Sequence, residues 1–180
     1  MNVSFRKAQI SDADAIARNI FPGYDPQDVY ENLELCLKDE DIFMLVGEVD
    51  GKIVSHAHLE LMGAPREHVV RIYSFIVAEN ERRKGIGKRM MEFIENWARK
   101  NELELILLEV YPDNHAAISF YTNQGFVRYG YLPRGSKFRN GQYSDEILMY
   151  KWLKKASPSE PREGAPPPNR GRGLPPPPPV

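Results

Sequence analysis

The sequence is short of cysteine, of net charge and of long apolar runs. A single cysteine, Cys36, stands among 180 residues, so no internal disulfide staples the fold and a hydrophobic core must hold it together. The formal net charge is −1, which argues against a broad phosphate-neutralising face and hence against a nucleic-acid partner. No apolar stretch reaches the roughly 18–20 residues that a bilayer crossing needs. Met1-Asn2-Val3-Ser4-Phe5-Arg6-Lys7 lacks the basic and apolar regions of a secretory signal. A soluble, cytoplasmic chain with no membrane partner is expected. Ten of the fifteen prolines fall between Ser157 and Val180, a stretch without a single aromatic residue. Such a segment buries too little apolar surface to offset the entropy of ordering it. The expected organisation is one domain over residues 1–156 and a disordered, proline-rich tail over 157–180.

Within the domain, strand and helix patterns alternate. Val3–Ala8 reads as a strand, and Ser11-Asp12-Ala13-Asp14 as the capped start of a helix to about Asn19. A second helix is expected from Asp25 or Pro26 to Lys38, with Val29, Leu33 and Cys36 inward. Ile42–Val49 and Ile53–Leu61 flank the Asp50-Gly51 turn of a hairpin. Val69–Val77 is a further strand, Gly85–Lys100 an amphipathic helix, and Leu103–Val110 is apolar enough for a central strand. A short helix over about Asp113–Gln124 and two last strands, Phe126–Leu132 and Glu146–Leu153, complete an α/β domain. Its sheet is expected to be mixed and mostly antiparallel, with one βαβ unit from Val69 to Val110.

Between that unit's first strand and its helix lies Arg82-Arg83-Lys84-Gly85-Ile86-Gly87-Lys88-Arg89, five cations and two glycines in eight residues. Glycines let backbone N–H groups approach a phosphate, and a helix N-terminus and flanking cations offset its charge. The plainer alternative is a solvated basic turn. A Walker A loop is excluded, because Arg82 stands where its first glycine belongs and no Ser or Thr follows Lys88. On the next helix Asn114, Ala117 and Tyr121 share one face, where a small residue between an amide and a phenol leaves a channel. Core packing is again the plainer alternative.

Together these segments resemble the GCN5-related N-acetyltransferase (GNAT) superfamily. Its acyl-CoA loop, Arg/Gln-x-x-Gly-x-Gly/Ala, is matched by Arg82–Gly87, and its later Asn-x-x-Ala-x-x-Phe/Leu-Tyr-x-x-x-Gly-Phe motif by Asn114–Phe126. One departure is Glu79, where the family usually has proline; it and Glu81 are expected to point to solvent. The resemblance implies acetyl-CoA as co-substrate. Phe75, Ile76 and Val77 would pair with the pantetheine amides, and Arg82, Arg83, Lys84, Gly85, Ile86, Gly87 and Lys88 would form the pyrophosphate turn. Asn114 and Ala117 would lie along the pantetheine arm, with Tyr121 beside the thioester sulfur.

Acetyl transfer to nitrogen needs an unprotonated amine and a proton for the departing thiolate. Glu109, an isolated carboxylate in Leu105-Ile106-Leu107-Leu108-Glu109-Val110, is the candidate base, its proton affinity raised by desolvation. The alternative for it is a strand-end ion pair. Its spacing from Tyr121, the candidate acid, is similar to that of the RimI-type branch. By the resemblance, the acceptor cleft involves the loop between the first two helices and the final hairpin, which makes Tyr24, Asp25, Tyr129 and Tyr143 candidate contacts. The acceptor expected is a primary amine: a small molecule, an amino acid, or a peptide or protein N-terminus. His56 and His58 share a strand face, but with no third ligand nearby no metal is expected. A non-catalytic acyl-CoA sensor is the alternative function, as is recruitment through the tail. There Arg172-Gly173-Leu174-Pro175-Pro176-Pro177-Pro178 fits a pattern that SH3 domains read.

Overall fold

The computed structural model describes residues 2–138 and 140–153, so Arg139 and the expected tail lie outside the described residues. Among the described residues seven strands form a single sheet in the order β1-β2-β3-β4-β5-β7-β6. Strands β1 (Ser4–Lys7), β2 (Ile42–Val49), β3 (Lys52–Leu61) and β4 (Val69–Val77) run antiparallel to one another. The one parallel pair joins β4 to β5 (Leu105–Val110). Beyond it, β7 (Tyr143–Trp152) and the edge strand β6 (Val127–Lys137) are antiparallel again. The mixed, mostly antiparallel α/β fold expected from the sequence is thereby observed.

Helices cover both faces. On one face α3 (Ile86–Lys100) buries Met90, Met91, Ile94 and Ala98 against Leu45, Leu59, Val70, Ile106 and Leu108, and α4 (His115–Asn123) adds Tyr121 to the same core. On the other, α1 (Ala13–Asn19) and α2 (Pro26–Lys38) bury Ile16, Val29, Leu33 and Cys36 against Met44 and Val46. The charged stripe of α2 is its exposed side, and Asp25 accepts a hydrogen bond from the Gln27 N–H at 2.9 Å as the helix cap. Among the described residues no helix is long and apolar enough to cross a membrane.

Two local readings are corrected. The Ser11-Asp12 start of α1 is a helical turn over Ile10–Asp12, because Asp12 is held by Arg6 at 2.7 and 2.9 Å. The last hairpin is longer than its patterning suggests. Pro133 and the left-handed Arg134 (φ 54) sit in an irregularity between Leu132 and Ser136 that interrupts pairing without ending the strand.

The decisive feature for function is where β4 leaves β5. Their register runs from Val69↔Leu105 to Ile72↔Leu108 and stops, although β4 stays paired to β3 as far as Val77. At that point Tyr73 is the extra residue of a bulge, since His58 pairs with Ser74 while Leu59 pairs with Ile72. A bulge bends its strand and sharpens the twist. The strands therefore splay, leaving the β5-facing edge of β4 without a strand partner beyond Ile72 among the described residues.

The Arg6–Asp12 pair ties β1 to the start of α1, and Arg6 also meets Glu48 of β2. The Arg6 hydrogen bond holds the Asp12 carboxyl below its usual 3.8. A depressed carboxyl contributes stability above 3.8 that is lost as the pH falls through its folded-state value. Asp12→Asn is expected to lower unfolding stability at pH 7 by about 2 kcal/mol. In urea titrations the difference from wild type should shrink below pH 3.8; a constant difference would show that the charge is immaterial.

Candidate active site

The splay opens two cavities that meet between β4 and α4. The first, about 740 Å³, is bounded by Phe75, Ile76 and Val77, by the turn from Glu81 to Lys88 except Lys84, and by α4. The second, about 800 Å³, lies toward β6 and β7 and contains Arg71, Glu109, Tyr129 and Glu146. Phe75, Ile76, Asn114, Ala117 and Tyr121 line both, so the boundary is formed by the free edge of β4 and one face of α4.

The turn closing the first cavity is a nest. Arg83 (φ 63) and Gly85 (φ 80) take left-handed conformations, which curl successive N–H groups into a concavity just ahead of the α3 N-terminus. Gly85 is the N-cap and needs glycine's freedom at that angle. At Gly87 a Cβ would stand in ordinary contact, 3.6 Å from the Phe120 ring and 3.7 Å from Phe75, so the space there does not itself require glycine. Arg82 braces the turn by donating from Nε to the Val77 carbonyl at 3.1 Å. Glu79 is exposed as expected, whereas Glu81 is not turned to solvent: it lines the cavity, with Lys84 at 2.9 Å offsetting its charge. The nest, the dipole end of a 15-residue helix and the cations fit a pyrophosphate, and the free edge of β4 fits an amide-bearing arm.

Asn114 has a structural duty as well, since its side chain caps α4 by accepting from the Ala117 N–H at 3.1 Å. Tyr121 is 7% exposed, ringed by Phe75, Phe120 and Phe126, and its hydroxyl has no hydrogen-bond partner among the described residues. Burial pushes its pKa up to about 12, so it stays a proton donor across the neutral range.

Glu109 departs from the isolated carboxylate that the sequence suggests. Strand alternation turns Ile106, Leu108 and Val110 into the α3 core and Glu109 to the opposite face. There the Arg71 Nη2 lies 3.1 Å from its Oε1. Desolvation still raises its pKa above the usual 4.5; the Arg71 charge works against this rise and Glu146 adds to it. Tyr129 stands in the same cavity, its pKa raised by desolvation and by the Glu109 charge. Tyr24 and Asp25 at the start of α2, and Tyr143 under the Arg134 guanidinium at 4.0 Å, line neither cavity. Arg71, Glu146 and Ser136 were not read from the sequence. The signal for Arg71 is a lone cation inside the apolar strand Val69–Val77, which β5 pairing brings to the face that carries Glu109.

The family model described as the acetyltransferase (GNAT) family matches residues 10–126. The chain belongs to this family. It is 32% identical over 114 residues to the L-amino acid N-acetyltransferase AaaT of Escherichia coli strain K12, covering 60% of this chain and 67% of that protein. Its fold is similar to that of the E. coli ribosomal-protein-S18-alanine N-acetyltransferase, with a TM-score of 0.69 at 18% identity over 88% of this chain and 99% of that one. It is also similar to a Salmonella typhimurium structure solved with its cofactor acetyl-CoA, with a TM-score of 0.68 at 18% identity over 89% and 99% of the two chains. This GNAT protein is thus an enzyme, an acyltransferase acting on amino groups.

A smaller cavity of about 160 Å³ beneath α1 and α2 contains His56, His58 and Ser74. Among the described residues no group of three His, Cys, Asp or Glu is placed to hold a metal. His56 is 2% exposed, neither ring nitrogen has a partner among the described residues, and burial lowers its pKa from 6.5 to about 4. Between those values the unfolded chain binds a proton that the native state lacks, so stability falls as the pH drops from 6.5 toward 4. His56→Phe is expected to relieve about 2 kcal/mol of that loss by pH 5. Denaturant titrations at pH 7 and 5 test this, and an unchanged difference between the two pH values would refute it.

Proposed function

We propose that this GNAT enzyme transfers an acetyl group from acetyl-CoA to a primary amine, which attacks the thioester directly in a ternary complex. The observation that carries this reading is the meeting of the two cavities at Tyr121, one fitted to a phosphorylated donor and the other lined by carboxylates suited to an amine. The turn over Arg82–Lys88 holds the pyrophosphate, and the β4 edge from Phe75 to Val77, with Asn114 and Ala117 opposite, aligns the arm. The co-substrate supplies an activated acyl carbon and a thiolate leaving group.

The chain's own residues then manage two protons. Glu109 takes one from the acceptor nitrogen. This matters most for alkyl amines, whose pKa of about 10.4 makes the neutral form roughly 4.6 kcal/mol uphill at pH 7, against about 1 kcal/mol for an α-amine near 7.8. Tyr121 gives one to the departing sulfur. The burial that raises the phenol also raises the proton affinity of a thiolate beside it, which keeps the transfer matched. A main-chain N–H near Val77 would support the carbonyl oxygen as it gains charge.

Tyr121→Phe is expected to lower kcat roughly 100-fold while acetyl-CoA affinity stays within about threefold. Thiol-release kinetics and calorimetry check the two halves, and unchanged kcat would remove Tyr121 from the reaction. Because the Glu109 pKa is raised, the wild-type rate should fall as the pH drops through that raised value and level off above it. Glu109→Gln should instead leave log kcat/KM climbing by about one per pH unit up to the amine pKa, since only pre-formed free amine reacts. A pH–rate profile identical to wild type would assign the base elsewhere.

A further inference from the structure

The acceptor-side cavity holds a guanidinium whose donors are only partly used. Arg71 donates from Nη1 to the Tyr73 hydroxyl at 3.0 Å, and its Nη2 lies 3.1 Å from Glu109. Its Nε–H is buried and has no partner among the described residues. The side chain as a whole stays 28% exposed in the cavity wall, so the terminal nitrogens, each with a second N–H, are the donors left for a ligand oxygen. Arg71, Glu109 and Glu146 line that one cavity, on the sheet face opposite the α3 core. Two carboxylates and one guanidinium together complement a molecule bearing both an amine and an anion. In an α-amino acid the nitrogen and the carboxylate are separated by a single carbon, close enough for one molecule to meet Glu109 and Arg71, which are themselves in contact.

We propose that Arg71 selects the acceptor: its guanidinium receives the carboxylate of an α-amino acid, making free amino acids the acceptor class in preference to plain alkylamines or uncharged amides. The proposal rests on the acetyltransferase reading above and narrows it. A carboxylate at the guanidinium also shares the positive charge that holds Glu109, so seating the acceptor loosens the ion pair that occupies the base. An alkylamine offers no carboxylate and leaves that pair intact.

The test compares kcat/KM, normalised to unprotonated amine, for L-leucine, L-methionine and L-phenylalanine, each beside its amide and its decarboxylated amine, using the full chain and acetyl-CoA. The acids are expected to exceed both neutral counterparts by roughly 10- to 100-fold, the range of a charge-assisted hydrogen bond. In Arg71→Gln that ratio should collapse to within about threefold, mainly through KM, and Arg71→Lys should restore only part of it. The wild-type ratios stand whether or not either variant folds. Equal use of acids, amides and amines overturns the carboxylate assignment and leaves the acetyltransferase reading standing. So does a panel in which peptides or polyamines are acetylated but no amino acid is. Absence of acetylation with every acceptor overturns both.

Discussion

After Ile72 and Leu108 the parallel ladder of β4 and β5 ends while each strand continues, and the site depends on that parting. Parallel strands joined by a right-handed crossover place the N-termini of the following helices at one end of the sheet. Here those helices are α3 and α4, starting at Ile86 and His115. Were the ladder continued to Val77, its backbone groups would be consumed in pairing and the space between the two N-termini would close. The bulge at Tyr73 prevents that by bending β4 where the pairing stops. One extra residue thus creates a free strand edge, opens a cavity on each side of it and lets both reach Tyr121.

The two cavities use electrostatics in opposite ways. At the donor turn the cations are exposed and their ion pairs, Lys84 with Glu81 and Lys88 with Glu92 at 3.9 Å, lie near the surface where such pairs contribute little. They are free to exchange a carboxylate for a doubly charged pyrophosphate. At the centre, desolvation drives both Tyr121 and Glu109 toward their protonated forms. For an acid this is the useful direction. For a base it is useful only up to a limit, and Arg71 supplies the limit by favouring the ionised Glu109.

Much of this was legible in the residues. Pro26–Lys38 and Val69–Val77 have the bounds that periodicity suggests, because capping by Asp25 and a β-branched run leave no competing local structure. The phosphate turn was legible because left-handed geometry favours glycine at Gly85, among the cations of Arg82–Arg89. What escaped depends on tertiary placement. Asp12 looks like the cap of α1, but its carboxylate is held by Arg6 of β1 and accepts the Gln9 N–H ahead of the turn over Ile10–Asp12. Pro133 looks like a strand end until an edge position makes its missing N–H harmless. Glu109 looks solitary because an apolar run does not reveal which face helices will leave open, and that face is where Arg71 waits.

The same pairing bears on how easily an amino acid reacts. A free carboxylate one carbon from an ammonium stabilises the charged form, which makes the nitrogen harder to deprotonate than an α-amine in a peptide. Glu109 and Glu146 on their own would worsen this, since negative charge that attracts an ammonium also holds its proton in place. A guanidinium bound to the acceptor's carboxylate works against both effects. It neutralises the anion next to the nitrogen and adds a positive charge on the far side of it, moving the amine toward the neutral form that attacks. On the proposed binding mode, Arg71 therefore joins recognition to reactivity: the contact that selects a carboxylate also lowers the proton affinity of the amine attached to it, an advantage no plain alkylamine obtains from the same cavity.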